Sequence, residues 1–148
     1  MGAALIAPGI LHRFSISSSA TGFRRSVLVH VYADKADVVR SAQNYGMAVD
    51  SAGAITNSFG YRHPAPEHMR HMAVIRLAES QLDSNTLAHE VTHAALHIYF
   101  ADCCKWESRA RAHIDGANEE LAYLVGDLTG SLHFELRKRG YFISSDSY

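Results

Sequence analysis

The residues with the clearest capacity for chemistry lie in LAHEVTHAAL, positions 87 to 96, where two histidines stand four apart and a glutamate follows the first. Positions i and i+4 of an α-helix share a face about one turn apart, so His89 and His93 can aim imidazole nitrogens at one Zn²⁺ ion. Glu90 sits roughly 100° round the helix from His89, where it can reach a water on that ion without occupying the metal. Zinc draws the pKa of its water towards about 7, and a glutamate so placed takes the proton as the water attacks a carbonyl. The same carboxylate can return that proton to a leaving amine. His97 continues the stripe but stands two turns from His89, which gives it a supporting or packing role.

A catalytic zinc needs a third protein ligand and an open fourth position. An HExxHxxGxxH extension would put Gly at Leu96 and His at Tyr99, so that class fails. A site completed by an upstream cysteine also fails, because Cys103 and Cys104 both lie downstream. What remains is a glutamate on a following helix, and NEELAYLVG, residues 118 to 126, offers Glu119 and Glu120.

LAHEVTHA followed by NEELAYLVG resembles the gluzincin, thermolysin-like zinc metallopeptidases, and its compact form resembles small metallopeptidase-like proteins of phages and prophages. In that group an Asn-Glu pair precedes a small residue at +3 and often a glycine at +7, matched here by Asn118-Glu119, Ala122 and Gly126. The resemblance covers about residues 71 to 126. It implies Glu119 as the third zinc ligand, with Ala122 and Gly126 letting its helix approach the HExxH helix. Glu120, about 100° away, is the alternative. It further implies that strand 71–77 is the sheet edge along which a peptide lies by β-augmentation. The chain departs from the group at Tyr123, where an acid commonly supports a zinc-bound histidine; Asp102, Asp127 and backbone carbonyls are the candidates for that task here. Tyr99, His113, Tyr123 and His133 are candidate oxyanion donors, and His63, His68 and His71 could border the cleft or form a second metal site.

The elements that must position these groups can be read from periodicity and punctuation. Ile10–Ser17 and Arg25–Ala33 have strand character around a turn at Ser18–Gly22. Asp34–Tyr45 has helical spacing, stopped by Gly46. Ala54–Tyr61 and His71–Leu77 are expected strands, with Ala73, Ile75 and Leu77 on one face and the proline-containing loop 62–70 between them. Asp83 or Ser84 caps a helix from about Asn85 to Phe100. A last helix runs from about Ala117, with Asp115 as N-cap, to Arg139, where Arg137-Lys138-Arg139-Gly140 stops it. Trp106 is expected to pack with Tyr99 and Phe100. The predicted fold is α+β, with a small, mainly antiparallel sheet, an N-terminal helix, the HExxH helix and a long C-terminal helix, and the resemblance implies that it is one minimal zincin-like domain over 1–148.

Composition bounds the function. A chain of 148 residues can bury a core without staples, and a net charge of −1 excludes nonspecific nucleic-acid binding. No apolar run approaches the roughly 20 residues of a spanning helix. Two adjacent cysteines make no disulfide framework, so a cytoplasmic protein is expected. Residues 1–33 carry no acid, three arginines and many serines, yet the alternation around Leu11–Ile16 favours a strand over a transit peptide. The expected function is a zinc-dependent metallopeptidase acting on a peptide or protein. The alternatives are a catalytically silent zinc-scaffold binding or inhibitor protein and a zinc hydrolase of a non-peptide amide. A di-iron carboxylate protein would need a second Glu-x-x-His, which the chain lacks.

Overall fold

Alternating burial along β1 (Ile10–Ser18) and β2 (Arg25–Tyr32) is what gives the sheet a helix-covered side. The computed structural model describes residues 9–47, 52–59, 71–104 and 118–143. After the β1–β2 hairpin come α1 (Lys35–Asn44), β3 (Ala54–Ser58), β4 (His71–Ala78), α2 (Ser84–Asp102) and α3 (Glu119–Lys138). The sheet order is β1-β2-β4-β3. β1–β2 and β3–β4 pair antiparallel, while β2 and β4 run parallel, so the sheet is mixed, with two of its three ladders antiparallel.

Val27, Val29 and Val31 of β2 and Ala73, Ile75 and Leu77 of β4 form one face, the face predicted for 71–77. Against it lie Val91, Ala94, Ala95 and Ile98 of α2 and a leucine stripe at 124, 128, 132 and 136 of α3. The opposite face carries α1, whose Val38 and Ala42 pack on Tyr32, Ile55 and Ala78. The α+β class therefore holds, with helices on both sides of the sheet and α1 placed after two strands.

β4 is interior, with β2 on one side and β3 on the other. Its backbone groups are committed to two neighbours, so the expectation that 71–77 offers a free edge to a peptide is not met. Among the described residues β3 is the edge strand on that side. The physical reason is that β4 is buried along nearly its whole length, which only a strand flanked on both sides achieves.

Helix ends follow their sequence signals closely. The Asp34 side chain accepts from Asp37 N, and the Asp83 side chain accepts from Thr86 N. Gly46 and Gly140 take φ of 82° and 90°, and the amides at 46–47 and 140–141 return to carbonyls 42–43 and 136–137 as Schellman closures. α3 starts at Glu119 with Asn118 in the N-cap position and no side-chain cap bond, so the cap expected at Asp115 is corrected; the loop 62–70 lies outside the described residues. Among the described residues no helix is long and apolar enough to cross a membrane.

Two buried arginines, neither foreseen, brace the sheet. Arg25 Nη2 and Nε bond Asp102 at 2.7 and 2.9 Å, with side-chain exposures of 0% and 2%, and Thr21 Oγ1 donates to the same carboxylate at 2.7 Å. This ties the start of β2 to the last residue of α2. Arg76 donates through Nε to Ser41 Oγ at 3.0 Å and through Nη1 to Asn57 Oδ1, and lies 4.5 Å from the Tyr45 ring centroid. His30 stands between Arg13 and Arg76 across the strands. Burial first, then Arg76 and Arg13, lowers its pKa to about 4.

Two outcomes are expected from this framework. Replacing Asp102 by Ala leaves Arg25 buried and uncompensated, and should cost about 3–5 kcal/mol in chemical denaturation. The depressed His30 means the unfolded chain takes up a proton that the folded chain refuses. Its contribution is thus complete above about pH 6.5 and lost as pH falls towards 4, so denaturation midpoints should drop across that window, less steeply in His30→Gln.

Candidate metal centre

The rotation of α2 decides what each residue of the motif faces. Leu87, Val91, Ala94, Ala95 and Ile98 are turned into the core. His89 is two positions from Leu87, about 200° round the helix, and both His89 and His93 are exposed. Glu90 falls on the flank beside β3 and is only 5% exposed.

The two histidines come together as the i, i+4 spacing predicts. Their Nε2 atoms are 3.2 Å apart, with ring centroids at 4.9 Å and planes at 73°. Two nitrogens held at about 2.0–2.1 Å by one tetrahedral zinc stand about 3.3–3.4 Å apart, so this pair presents close to the span the metal requires. The same spacing also serves a ring-to-ring hydrogen bond, one imidazole donating and the other accepting.

Glu90 is held from outside its helix. Thr56 Oγ1, on β3, is 2.7 Å from Glu90 Oε2 and 3.1 Å from the Glu90 carbonyl oxygen. His89 and Glu90 also line one side of an open cleft of about 350 Å³, whose other walls are Ala54, Gln81, Asn85 and Thr86. One histidine of the pair, His89, and the candidate base Glu90 thus border a common space. Sequence reasoning did not single out Thr56; its only signal was a β-branched polar residue at an inward position of a short strand.

The third donor is not assembled in the same way. Among the described residues no group of three or more His, Cys, Asp or Glu side chains is placed to hold a metal ion. Asn118 Nδ2 donates to Tyr99 Oη at 2.8 Å, which seats the start of α3 against the last turns of α2. Tyr99 is six residues past His93, about 9 Å along the helix axis. The α3 leucines then set the helix rotation. Glu119 is nine residues from Leu128, roughly 180° round the helix, and is exposed. Ala122 and Gly126 share its outward side, and a Cβ on Gly126 would meet nothing within 4 Å. The idea that these small residues face α2 is therefore corrected, because burying four leucines outweighs presenting Ala122 and Gly126. Glu120 is also exposed, and its charge acts on Cys103.

The residues expected to orient the histidines are engaged elsewhere. Asp102 is bound by Arg25 and Thr21, and Asp127 accepts from Ser18 Oγ at 2.6 Å. His97 is half-buried; burial lowers its pKa against the opposing effects of a Phe59 backbone hydrogen bond and the Asp102 charge, which leaves it neutral at pH 7. Tyr99 is buried and bonded to Asn118, whereas Tyr123 points outward at 63% exposure. His133 lies on α3, its pKa lowered by burial and Arg137. Burial, followed by Glu120, Asp102 and Cys104, pushes the Cys103 thiol up to about 11, which makes it a poor nucleophile near neutral pH. His63, His68, Trp106 and His113 lie outside the described residues.

Compared with protein-family models, curated proteins and solved structures, the chain matches none.

The paired Nε2 atoms lead to a direct expectation. Titration of zinc against a chromophoric chelator should give one site per chain, and His89→Ala or His93→Ala should weaken it by at least about 100-fold.

Proposed function

We propose that the chain is a zinc-dependent metallopeptidase of the gluzincin type, with a minimal zincin-like fold, in which His89 and His93 hold the metal and Glu90 is the general base. The observation that carries this reading is the 3.2 Å separation of the two Nε2 atoms, beside a cleft that Glu90 also lines. A mixed sheet with α2 packed on it is compatible with that fold. Zinc, when bound, would supply a Lewis acid that polarises water and a peptide carbonyl. Glu90 takes a proton from the attacking water and delivers it to the leaving amine. Glu90 is buried beside that open cleft, where water can approach it.

Glu119 is proposed as the third ligand on the strength of the NEELAYLVG pattern. In that role its carboxylate turns inward from the first turn of α3, and Glu120 is the alternative donor. An extended peptide is proposed to lie along β3, the edge strand that carries Thr56, and not along β4. The small cleft is equally compatible with a non-peptide amide. A second reading, a catalytically silent scaffold that binds a partner, is favoured by one specific feature. Glu90 is buried and bonded to β3, so it also serves as a structural strut.

Zinc content and cleavage of fluorescein-labelled casein separate these readings. Glu90→Gln should retain one zinc per chain and lose about 10²- to 10⁴-fold in kcat. Glu119→Gln should lose most of its zinc while Glu120→Gln keeps it. A wild-type protein that takes up zinc and cleaves nothing, with Glu90→Gln merely less stable, points to the silent scaffold.

A further inference from the structure

Thr56 stands in the middle of β3, opposite Ile75 of β4, and its side chain shares the face of Ala54 and Ile75 against α2. Its neighbour Ile55 goes to the other face, with Tyr32 and Ala78. At such a position valine would fit the same volume without a hydroxyl to satisfy, so a threonine there calls for a partner. That partner is Glu90, thirty-four residues away on another element.

A threonine hydroxyl has one proton and two neighbouring acceptors, Glu90 Oε2 at 2.7 Å and the Glu90 carbonyl at 3.1 Å. The charged and nearer oxygen is the stronger acceptor. Among the described residues Thr56 is the one side chain bonded to this carboxylate. It engages Oε2 and leaves Oε1 to receive a proton. Glu90 has three side-chain torsions, and the cleft beside it is open to solvent. Without the hydroxyl, nothing else described ties the carboxylate to the wall of the cleft.

We propose that Thr56 is the positioning residue of the reaction: its hydroxyl, carried on the edge strand, fixes the Glu90 carboxylate in the orientation a general base requires. The role rests on the peptidase reading, since a base must be needed for its placement to matter. It also links base to substrate, because the strand that would receive an extended peptide is the strand that holds the base.

The test uses the full chain with Thr56→Val, which keeps shape and loses the hydroxyl, and Thr56→Ser, which restores it. In zinc-loaded protein acting on fluorescein-labelled casein, Thr56→Val should keep one zinc per chain and a wild-type KM while kcat falls about 10- to 100-fold. Thr56→Ser should return to within about threefold of wild type. The second readout needs no metal and no turnover. With glutamate carboxyls labelled by carbon-13, the Glu90 resonance, identified by its loss in Glu90→Gln, should move in Thr56→Val and return in Thr56→Ser. A Glu90 resonance unmoved by Thr56→Val, or a wild-type kcat in that variant, overturns the positioning role and leaves the peptidase reading standing. Joint loss of zinc, KM and thermal stability, unrescued by serine, overturns it in favour of simple packing. If the resonance moves but wild-type protein cleaves no casein, the hydrogen bond stands and the peptidase reading falls, taking the catalytic role of Thr56 with it.

Discussion

Everything at the candidate centre depends on how α2 is turned about its own axis. Five apolar residues, Leu87, Val91, Ala94, Ala95 and Ile98, must be buried against the sheet and α3. At roughly 1.5–3 kcal/mol for each large side chain, that burial outweighs any preference of the histidines for one side or another. With the apolar arc inside, His89 and His93 are driven outward and Glu90 is left on the boundary beside β3. The Asp83 cap at one end and the Arg25–Asp102 pair at the other keep α2 from sliding or rolling.

The same logic governs α3, with a less convenient outcome for a metal. Four leucines spaced four apart define its buried line, and Glu119 lies on the opposite side of the helix. A strong leucine stripe and the Asn118–Tyr99 bond together decide where the first turn sits. Bringing Glu119 to the histidines means turning its side chain against that setting. The pair of histidines is therefore preformed, whereas the third donor is not.

Much of the fold was legible in the chain. The strands at 10, 25, 54 and 71, the helix capped by Asp34, the helix capped by Asp83 and the glycine stops at 46 and 140 all express local propensity, periodicity and capping. The i, i+4 histidine pair was legible for the same reason, since a helix alone brings the two rings together. What escaped were contacts between distant segments. The order β1-β2-β4-β3 puts β4 inside the sheet, and no feature within 71–77 announces whether a strand has one neighbour or two. No local feature marks Arg25 and Arg76 for burial, and only their partners Asp102, Ser41 and Asn57 explain it. Asp102 was thereby removed as a support for the histidines.

By itself the sequence determined which elements form and which residues share a helix face, because those properties depend on neighbours within a few positions. It thereby specified two imidazoles brought together on one helix face with a glutamate beside them. The tertiary structure alone decided that β3 is the edge beside the cleft, that Thr56 holds Glu90 and that Glu119 faces away. Those outcomes follow from the mutual burial of distant surfaces, chiefly the α3 leucines and the β4 strand, whose energy is shared among segments and written in none of them singly.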